Sequence, residues 1–223
     1  MERDEVTIFA GVPTMFWAIL NYPQANDYDL RKISDNMVMG ISGGSALPVE
    51  VIKDFTEKFT VKILEAYGLS ETSPAATFSR PDRPTKPGSV GLPIWGVDIR
   101  VVDVNDEDIP VGEMGEILIR GHNIMKGYYK RPDATASAMR GGWFHSGDLG
   151  ILDEDGYLYY TDRVKDMIIR GGFNVYPREF EEVLMTHPAI SLAAVVGIGD
   201  DQHGEEIKAY VILKDGASAT GEE

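Results

Sequence analysis

The stretch "DRVKDMIIRGGFNVYPREFEE" at residues 162–182 joins a charged cluster, an apolar pair, two adjacent glycines and a helical pattern that begins at a proline. Gly171 and Gly172 predict a tight hairpin, because residues without a Cβ adopt left-handed backbone angles at no steric cost. Proline is favoured in the first turn of a helix, so Pro177 predicts a helix start. The residues predicted to face inward from this helix are Phe180, Val183 and Leu184.

Strand-like segments lie on both sides of this stretch. "SLAAVVGI" and "EEIKAYVILK" follow the helix and complete a β-β-α-β-β pattern from residue 166 onward, which predicts a small α+β domain over residues 166–223. Upstream, "VDIRVVD", "GEILIRG" and "GYLYYTDR" alternate with the period of half-buried strands. They predict a small β subdomain over residues 86–162.

Residues 1–85 have an α/β pattern. "NMVMGIS" and "VKILEAYG" are apolar enough to be buried strands, and "VPTMFWAILN" and "LPVEVIKDFTEKF" predict helices that open near a proline. In the second helix Val51, Ile52, Phe55 and Phe59 fall on one face. Three prolines in "RPDRPTKPG" then exclude regular structure and mark a boundary. Because so few strands cannot complete an α/β sheet, we expect the end of a larger α/β domain.

Composition excludes several classes of protein. A formal net charge of -15 disfavours nucleic-acid binding, since no excess of Lys and Arg is available to displace counterions from phosphates. No apolar run approaches the roughly 20 residues that cross a bilayer. The charged start "MERDEV" does not resemble a secretory signal, and the absence of cysteine excludes disulfides. We therefore expect a cytoplasmic protein; peripheral membrane association and oligomeric state stay open.

Several residues fit nucleotide chemistry by their type and position. Ser70 and Glu71 in "YGLSETS" follow a predicted strand end, where α/β sheets commonly bind ligands. A carboxylate and a hydroxyl there suit Mg²⁺ beside a phosphate, and equally suit a capped turn. Tyr67 suits stacking on a base. Asp148 in "GWFHSGDLG", held by a glycine turn, suits two ribose hydroxyls or a simple turn.

A hydrolase is a competing hypothesis. "GISGG" matches a nucleophile elbow with Ser42 as nucleophile and His187 or His203 as the base. Pro48 would interrupt the first turns of the helix that such an elbow requires. His145, Ser146 and Asp148 do not form a triad, because neighbours along a strand point in diverging directions.

Six ordered segments carry a more specific signal. They are "GGSAL", "YGLSETSP", "GEILIRG", "IMKGYYKRPDAT", "GWFHSGDLG" and "DRVKDMIIRGGFNVYPREFEEVL". Over nearly the whole chain this series resembles the adenylate-forming enzymes, namely acyl-CoA synthetases, beetle luciferases and peptide-synthetase adenylation domains. It is most similar to the fatty acyl-CoA ligases. The resemblance implies ATP, Mg²⁺ and CoA as cofactor and cosubstrates and a fatty acid or related carboxylate as substrate.

The resemblance also implies a role for each matching residue. Gly43, Gly44 and Ser45 would line the adenine and replace the elbow interpretation, and Tyr67 would stack on the adenine. Ser70 would contact phosphate, and Glu71 would help to hold Mg²⁺. Asp148 and Arg163 would meet the ribose hydroxyls.

The same resemblance implies two domains joined by a hinge. Residues 1–162 would be the end of the large adenylate-forming domain, residues 163–165 a hinge centred on Lys165, and residues 166–223 an incomplete C-terminal domain that swings between half-reactions. Gly171, Gly172 and Phe173 would line the tunnel for the pantetheine arm of CoA.

Two family features are missing from the sequence. They are the phosphate loop with its lysine, expected upstream, and the catalytic lysine, expected beyond "GASATGEE". We therefore expect the C-terminal part of a fatty acid:CoA ligase, inactive by itself. The alternatives are an aryl or other carboxylate:CoA ligase and a noncatalytic nucleotide-binding or interaction module.

Overall fold

The computed structural model describes residues 1–220. The chain divides into two compact units. The first comprises Met1–Ser146 and Gly150–Tyr160, and the second comprises Gly147–Leu149 and the residues from Thr161 onward. The predicted hinge at residues 163–165 concerns motion and stays a prediction.

A five-stranded sheet lies in the first unit. Its strands, in spatial order, are β1 (Ile8–Gly11), β2 (Met39–Ser42), β3 (Ile63–Tyr67), β4 (Thr77–Phe78) and β5 (Leu92–Pro93). The first three run parallel, and β4 and β5 continue the sheet antiparallel. Both apolar segments predicted as buried strands are therefore confirmed.

Helices connect the parallel strands, as parallel pairing requires. They are α1 (Pro13–Leu20) and α2 (Leu30–Asn36), between β1 and β2, and α3 (Val49–Phe59), between β2 and β3. On α3, Val51, Phe55 and Phe59 are buried, which confirms the predicted apolar face. Phe16 of α1 packs edge-on against Phe55, with ring centroids 5.3 Å apart.

A second, four-stranded sheet follows the proline-rich segment. Its strands, in spatial order, are β6 (Val97–Val102), β7 (Met114–Gly121), β8 (Phe144–Leu152) and β9 (Leu158–Arg163), with α4 (Pro132–Ala138) between β7 and β8. Ile117, Ile119 and Leu158 are fully buried in its core. The predicted strands are confirmed, but β8 was not predicted, because "FHSGDLGIL" lacks the alternation of apolar and polar residues that marks a half-buried strand.

The second unit has the predicted β-β-α-β-β order. Its elements are β10 (Ile168–Arg170), β11 (Phe173–Val175), α5 (Pro177–Met185), β12 (Ile190–Asp200) and β13 (Gly204–Leu213). The spatial order of the strands is β11-β10-β13-β12, with antiparallel pairing throughout.

The predicted inward face of α5 was wrong at Phe180 and Val183, whereas Leu184 is half-buried. Phe180 and Val183 are 42% and 70% exposed, whereas Pro177 and Met185 are buried. The Glu181 carboxylate accepts a hydrogen bond of 2.8 Å from the backbone N–H of Val195 on β12. Positions 177, 181 and 185 therefore form the stripe that faces the sheet, because residues four apart share one side of a helix. Burial raises the pKa of Glu181.

Among residues 1–220, none of the helices has both the length and the apolar character that a bilayer span requires.

Candidate functional site

The segment Gly43, Gly44 and Ser45 follows β2 at the carboxyl end of the parallel strands. The Gly43 N–H donates to the Gly11 carbonyl oxygen at 3.3 Å, and Gly44 has a φ of +83°. A Cβ at position 43 would lie 3.3 Å from the Ala66 carbonyl oxygen of β3. The segment therefore passes close to the neighbouring strand at the sheet edge where α/β folds commonly bind ligands.

Tyr67 ends β3 and is buried. Its ring stacks on Tyr160, with centroids 5.8 Å apart and an interplanar angle of 28°. This aromatic partner was not foreseen from the sequence. Stacking of Tyr67 on an adenine stays a prediction.

The turn after Tyr67 is tightly constrained. A Cβ on Gly68 would lie 1.9 Å from the Pro74 carbonyl oxygen, so only glycine fits there. Ser70–Thr72 form one 3₁₀ turn, in which the buried Thr72 hydroxyl accepts a hydrogen bond of 2.9 Å from the Leu69 N–H. Ser70 is exposed beside it. The turn thus presents two adjacent polar side chains, Ser70 and Glu71, on a fixed backbone.

The Glu71 carboxylate has no cationic partner within residues 1–220. Its side-chain contact is a hydrogen bond of 2.9 Å that Oε1 accepts from the Tyr128 hydroxyl. By contrast, Asp98, Asp108 and Asp153 in the same unit pair with Arg120, Arg100 and Lys86, respectively. No cationic side chain of residues 1–220 therefore competes for the Glu71 carboxylate, and carboxylate oxygens are the ligands that Mg²⁺ prefers.

Asp148 and Arg163 lie together in the second unit. Asp148 is buried in β8, and its Oδ1 is 3.6 Å from Arg163 Nε. The structure thereby brings together the two residues expected at a ribose. Asp148 is a strand residue, not the turn residue that the sequence suggested, although Gly147 before it has a φ of +71°.

Lys165 is exposed in the turn that follows β9. The turn closes through a hydrogen bond of 3.0 Å from the Asp166 N–H to the Arg163 carbonyl oxygen. The Lys165 N–H donates no hydrogen bond to any of residues 1–220. Local structure therefore does not require a backbone donor at this position.

Gly171 and Gly172 form the two-residue turn between β10 and β11. Their φ angles are +57° and +87°, and Arg170 pairs with Phe173 across the turn. Positive φ at both positions is the requirement of a type I′ hairpin, which explains the two glycines. The tight hairpin is confirmed, and Phe173 is exposed beside it.

This glycine hairpin is anchored to β13 and the turn before it. The Gly171 N–H donates to the His203 carbonyl oxygen at 2.9 Å, and the Ile169 N–H donates to Glu205 Oε2 at 2.6 Å. Arg170 Nε donates to Glu206 Oε1 at 2.6 Å, which lowers the pKa of Glu206 to about 2. The glycine turn is therefore presented on a fixed base.

The hydrolase hypothesis finds no support in the geometry. Ser42 is only 1% exposed, and its hydroxyl has no hydrogen-bond partner within residues 1–220. Ser146 donates to the Ile117 carbonyl oxygen at 2.7 Å, and His145 Nδ1 lies 3.1 Å from Glu116 Oε2. The Ser146 hydroxyl and the His145 imidazole therefore have partners on β7.

Three potential metal ligands meet elsewhere in the first unit. Atoms of Asp106, Glu116 and His145 lie within 4.8 Å of one another. Arg140 donates two hydrogen bonds of 3.1 Å to Asp106, and its Nη2 lies 3.6 Å from Glu116. The guanidinium already compensates both carboxylates, so this cluster is an ion-pair network.

Two contacts to the Ser70–Glu71 turn were missed from the sequence. Asn123 and Tyr128 reach it from about 50 residues away along the chain. Tyr128 lies in "IMKGYYKRPDAT", so the motif was recognised, but a motif does not show which side chain it contacts.

The comparisons with known proteins define the class. The family model described as AMP-binding enzyme matches residues 1–129, and the model described as AMP-binding enzyme C-terminal domain matches residues 179–223. The chain belongs to the AMP-binding enzyme family, which confirms the resemblance to adenylate-forming enzymes.

Individual proteins that are similar to this chain include two named CoA ligases or synthases and one solved structure. A long-chain-fatty-acid–CoA ligase of Bacillus subtilis (strain 168) is 41% identical over 100% of this chain and 39% of the relative. A feruloyl-CoA synthase of Amycolatopsis sp. is 39% identical over 100% of this chain and 45% of the relative. The crystal structure of ATP-bound MatB from Rhodopseudomonas palustris superposes with a TM-score of 0.89 at 35% identity, over 96% of this chain and 42% of MatB. The chain therefore spans less than half the length of these relatives.

Proposed function

We propose that this chain is part of a fatty acid:CoA ligase. The observation that carries the proposal is the 41% identity, over the whole chain, to a long-chain-fatty-acid–CoA ligase. In this reaction a carboxylate oxygen of the fatty acid attacks the α-phosphorus of ATP and pyrophosphate leaves. The CoA sulfur then attacks the acyl carbon of the acyl-adenylate, AMP leaves, and the thiol proton goes to solvent.

In this proposal the adenosine is held by residues of different kinds. Gly43, Gly44 and Ser45 lie along the adenine, where the glycines allow close backbone approach. Tyr67 stacks on the base. Asp148 accepts hydrogen bonds from the ribose hydroxyls, and Arg163, 3.6 Å from it, contacts the ribose as well.

Glu71 fits the role of a Mg²⁺ ligand. Its carboxylate is half-buried, accepts one hydrogen bond from a neutral phenol and has no cationic partner within residues 1–220. Ser70, exposed beside it, would contact phosphate. When bound, the cation neutralises phosphate charge. The chain's own contribution is to hold a carboxylate and a hydroxyl on a rigid turn.

In this proposal the transfer of the acyl group to CoA involves the second unit. Gly171, Gly172 and Phe173 would line the tunnel for the pantetheine arm, and the hairpin geometry supports this role because it exposes the two glycines and the ring. Lys165 would be the hinge residue. We place the ligase in the cytoplasm, where ATP and CoA are available.

An aryl carboxylate is the second candidate substrate. The 39% identity to a feruloyl-CoA synthase over the whole chain supports it. A purely nucleotide-binding module is the third candidate, and it predicts that AMP stabilises the chain while the full-length protein makes no acyl-CoA.

The test is substrate-dependent AMP release by the full-length ligase. Fatty acids of several chain lengths and ferulate are each supplied with ATP, Mg²⁺ and CoA. We expect AMP and acyl-CoA in equal amounts with a fatty acid. Turnover with ferulate alone would establish the aryl ligase, and AMP binding without any turnover would establish the binding module.

A further inference from the structure

The segment Gly121–Tyr128 runs along the Ser70–Glu71 turn and holds it. The Met125 N–H donates to the Glu71 carbonyl oxygen at 2.8 Å. The buried Asn123 donates through Nδ2 to the carbonyl oxygens of Thr72 and Ala75 at 3.1 and 2.6 Å. The backbone at Glu71 and directly after it is therefore fixed before its side chain is considered.

The position of Tyr128 is itself fixed by α4. The Tyr128 N–H donates to Thr135 Oγ1 at 2.9 Å, and the same hydroxyl donates to the Arg131 carbonyl oxygen at 2.8 Å. Gly127 has a φ of +147°, and a Cβ there would lie 2.7 Å from Thr135 Cγ2. The backbone before the phenol is thus docked onto the helix, which aims the hydroxyl at Glu71.

We propose that Tyr128 is a positioning residue for the Mg²⁺ ligand Glu71. This inference rests on the proposed function, which assigns Glu71 to the cation. The Tyr128 hydroxyl occupies Oε1 of the carboxylate at 2.9 Å, and Oε2 has no partner within residues 1–220. One oxygen is therefore held while the other stays available to a cation.

The choice of a phenol suits this role. A lysine or arginine at position 128 would fix the carboxylate but would also neutralise it. A phenol is an uncharged donor, so the Tyr128 hydroxyl holds Oε1 of Glu71 without neutralising the carboxylate. Removing a residue that holds a metal ligand in this way typically lowers the metal affinity 10- to 100-fold.

The adjacent Tyr129 supplies a matched control. Tyr128 is 37% exposed, whereas Tyr129 is 86% exposed and contacts Lys130 through its ring, which a phenylalanine retains. Tyr128→Phe and Tyr129→Phe therefore remove the same atom from neighbouring residues. Only Tyr128→Phe removes a hydrogen bond to Glu71.

The test measures binding of Mn²⁺–ATP to the chain by water-proton relaxation enhancement, with Mn²⁺ as the paramagnetic substitute for Mg²⁺. We expect Tyr128→Phe to weaken the ternary complex about tenfold, Glu71→Gln to abolish it and Tyr129→Phe to leave it unchanged. In the full-length ligase, raised Mg²⁺ should restore the rate of Tyr128→Phe, which a purely structural defect would not permit.

The possible outcomes separate the two proposals. If Glu71→Gln weakens binding while Tyr128→Phe binds like the wild type, the positioning role is refuted and Glu71 keeps its function. If Glu71→Gln binds like the wild type, the assignment of Glu71 to the cation fails first. Loss of secondary structure in Tyr128→Phe, measured by circular dichroism, would assign the hydroxyl a structural role and overturn the inference.

Discussion

Asn123 ties the loop at residues 72–75 to the segment that follows β7. Its side chain is buried and donates to two carbonyl oxygens. A buried acceptor left without a partner costs about 1–3 kcal/mol. We expect Asn123→Ala to lower the free energy of unfolding by about 2 kcal/mol in a urea titration. Asn26→Ala, at an exposed asparagine, is the control, and equal urea midpoints for the two variants would contradict this account.

Gly68 is a second residue whose identity the structure constrains, because its surroundings leave no room for a Cβ. Atoms of Pro74 and Ala75 lie 1.9–2.9 Å from the place that a Cβ would occupy, and all of them are backbone atoms that cannot rotate away. We expect Gly68→Ala to destabilise the chain by about 3 kcal/mol, since overpacking of a rigid site is costly. Gly199→Ala meets nothing within 4 Å and should cost far less. Comparable thermal midpoints for both variants would show that the turn can relax.

At the scale of elements, the stability of the glycine hairpin depends on pH through the ionisation of the Glu206 carboxyl group. Its pKa falls from an ordinary 4.5 to about 2, chiefly because Arg170 donates a hydrogen bond to it. A lowered carboxyl pKa contributes stability that is complete above pH 4.5 and is lost as the pH falls toward 2. We expect Glu206→Gln to flatten this part of the curve of unfolding free energy against pH, measured by urea titrations at pH 6 and pH 3.

Glu179→Gln, at an exposed residue of α5, is the control for that experiment. It should retain the wild-type difference in unfolding free energy between pH 6 and pH 3. An unchanged difference in Glu206→Gln would mean that the Arg170–Glu206 pair does not stabilise the hairpin in solution.

Elements with a regular apolar period were predictable from the sequence. The parallel strands β2 and β3, helix α3 and the β-β-α-β-β order of the second unit were all foreseen. Strand β8 was missed because its glycines and polar residues follow no period, and its neighbours in the sheet determine its conformation. The face of α5 was predicted wrongly, because the contact of Glu181 with β12 places a carboxylate toward the sheet.

The candidate site, like the fold, was predictable from the sequence only in part. Motif resemblance predicted Ser70, Glu71, Asp148 and Arg163 as site residues, and the structure brings the last two within 3.6 Å of each other. It did not identify Asn123 or Tyr128, because their contacts join segments about 50 residues apart. Sequence patterns report local periodicity, whereas partners across the fold require coordinates.

At the scale of the whole molecule, the proposed hinge makes a kinetic prediction. Lys165 is the third residue of a turn, where proline is disfavoured because it restricts the preceding residue. Its N–H donates no hydrogen bond within residues 1–220, so Lys165→Pro loses no donor here. In the proposed full-length ligase we expect this variant to keep pyrophosphate exchange and to lose acyl transfer to CoA, while Lys165→Ala changes transfer far less.

Both half-reactions must be measured on the same preparation. Equal loss of exchange and transfer in Lys165→Pro would refute the hinge and indicate misfolding or a direct role of the residue in adenylation.

The central claim is that this chain carries the adenosine-binding part of an acyl-adenylate-forming ligase, and calorimetric titration of the chain with AMP tests it most directly. We expect saturable binding with one AMP per chain, weakened at least about tenfold by Asp148→Asn, because a charge-assisted hydrogen bond contributes about 1.5–3 kcal/mol. Asp201→Asn, at an exposed aspartate of the second unit, should bind AMP like the wild type. AMP binding that is absent from the folded wild-type chain, or equal in Asp148→Asn and the wild type, would contradict the claim.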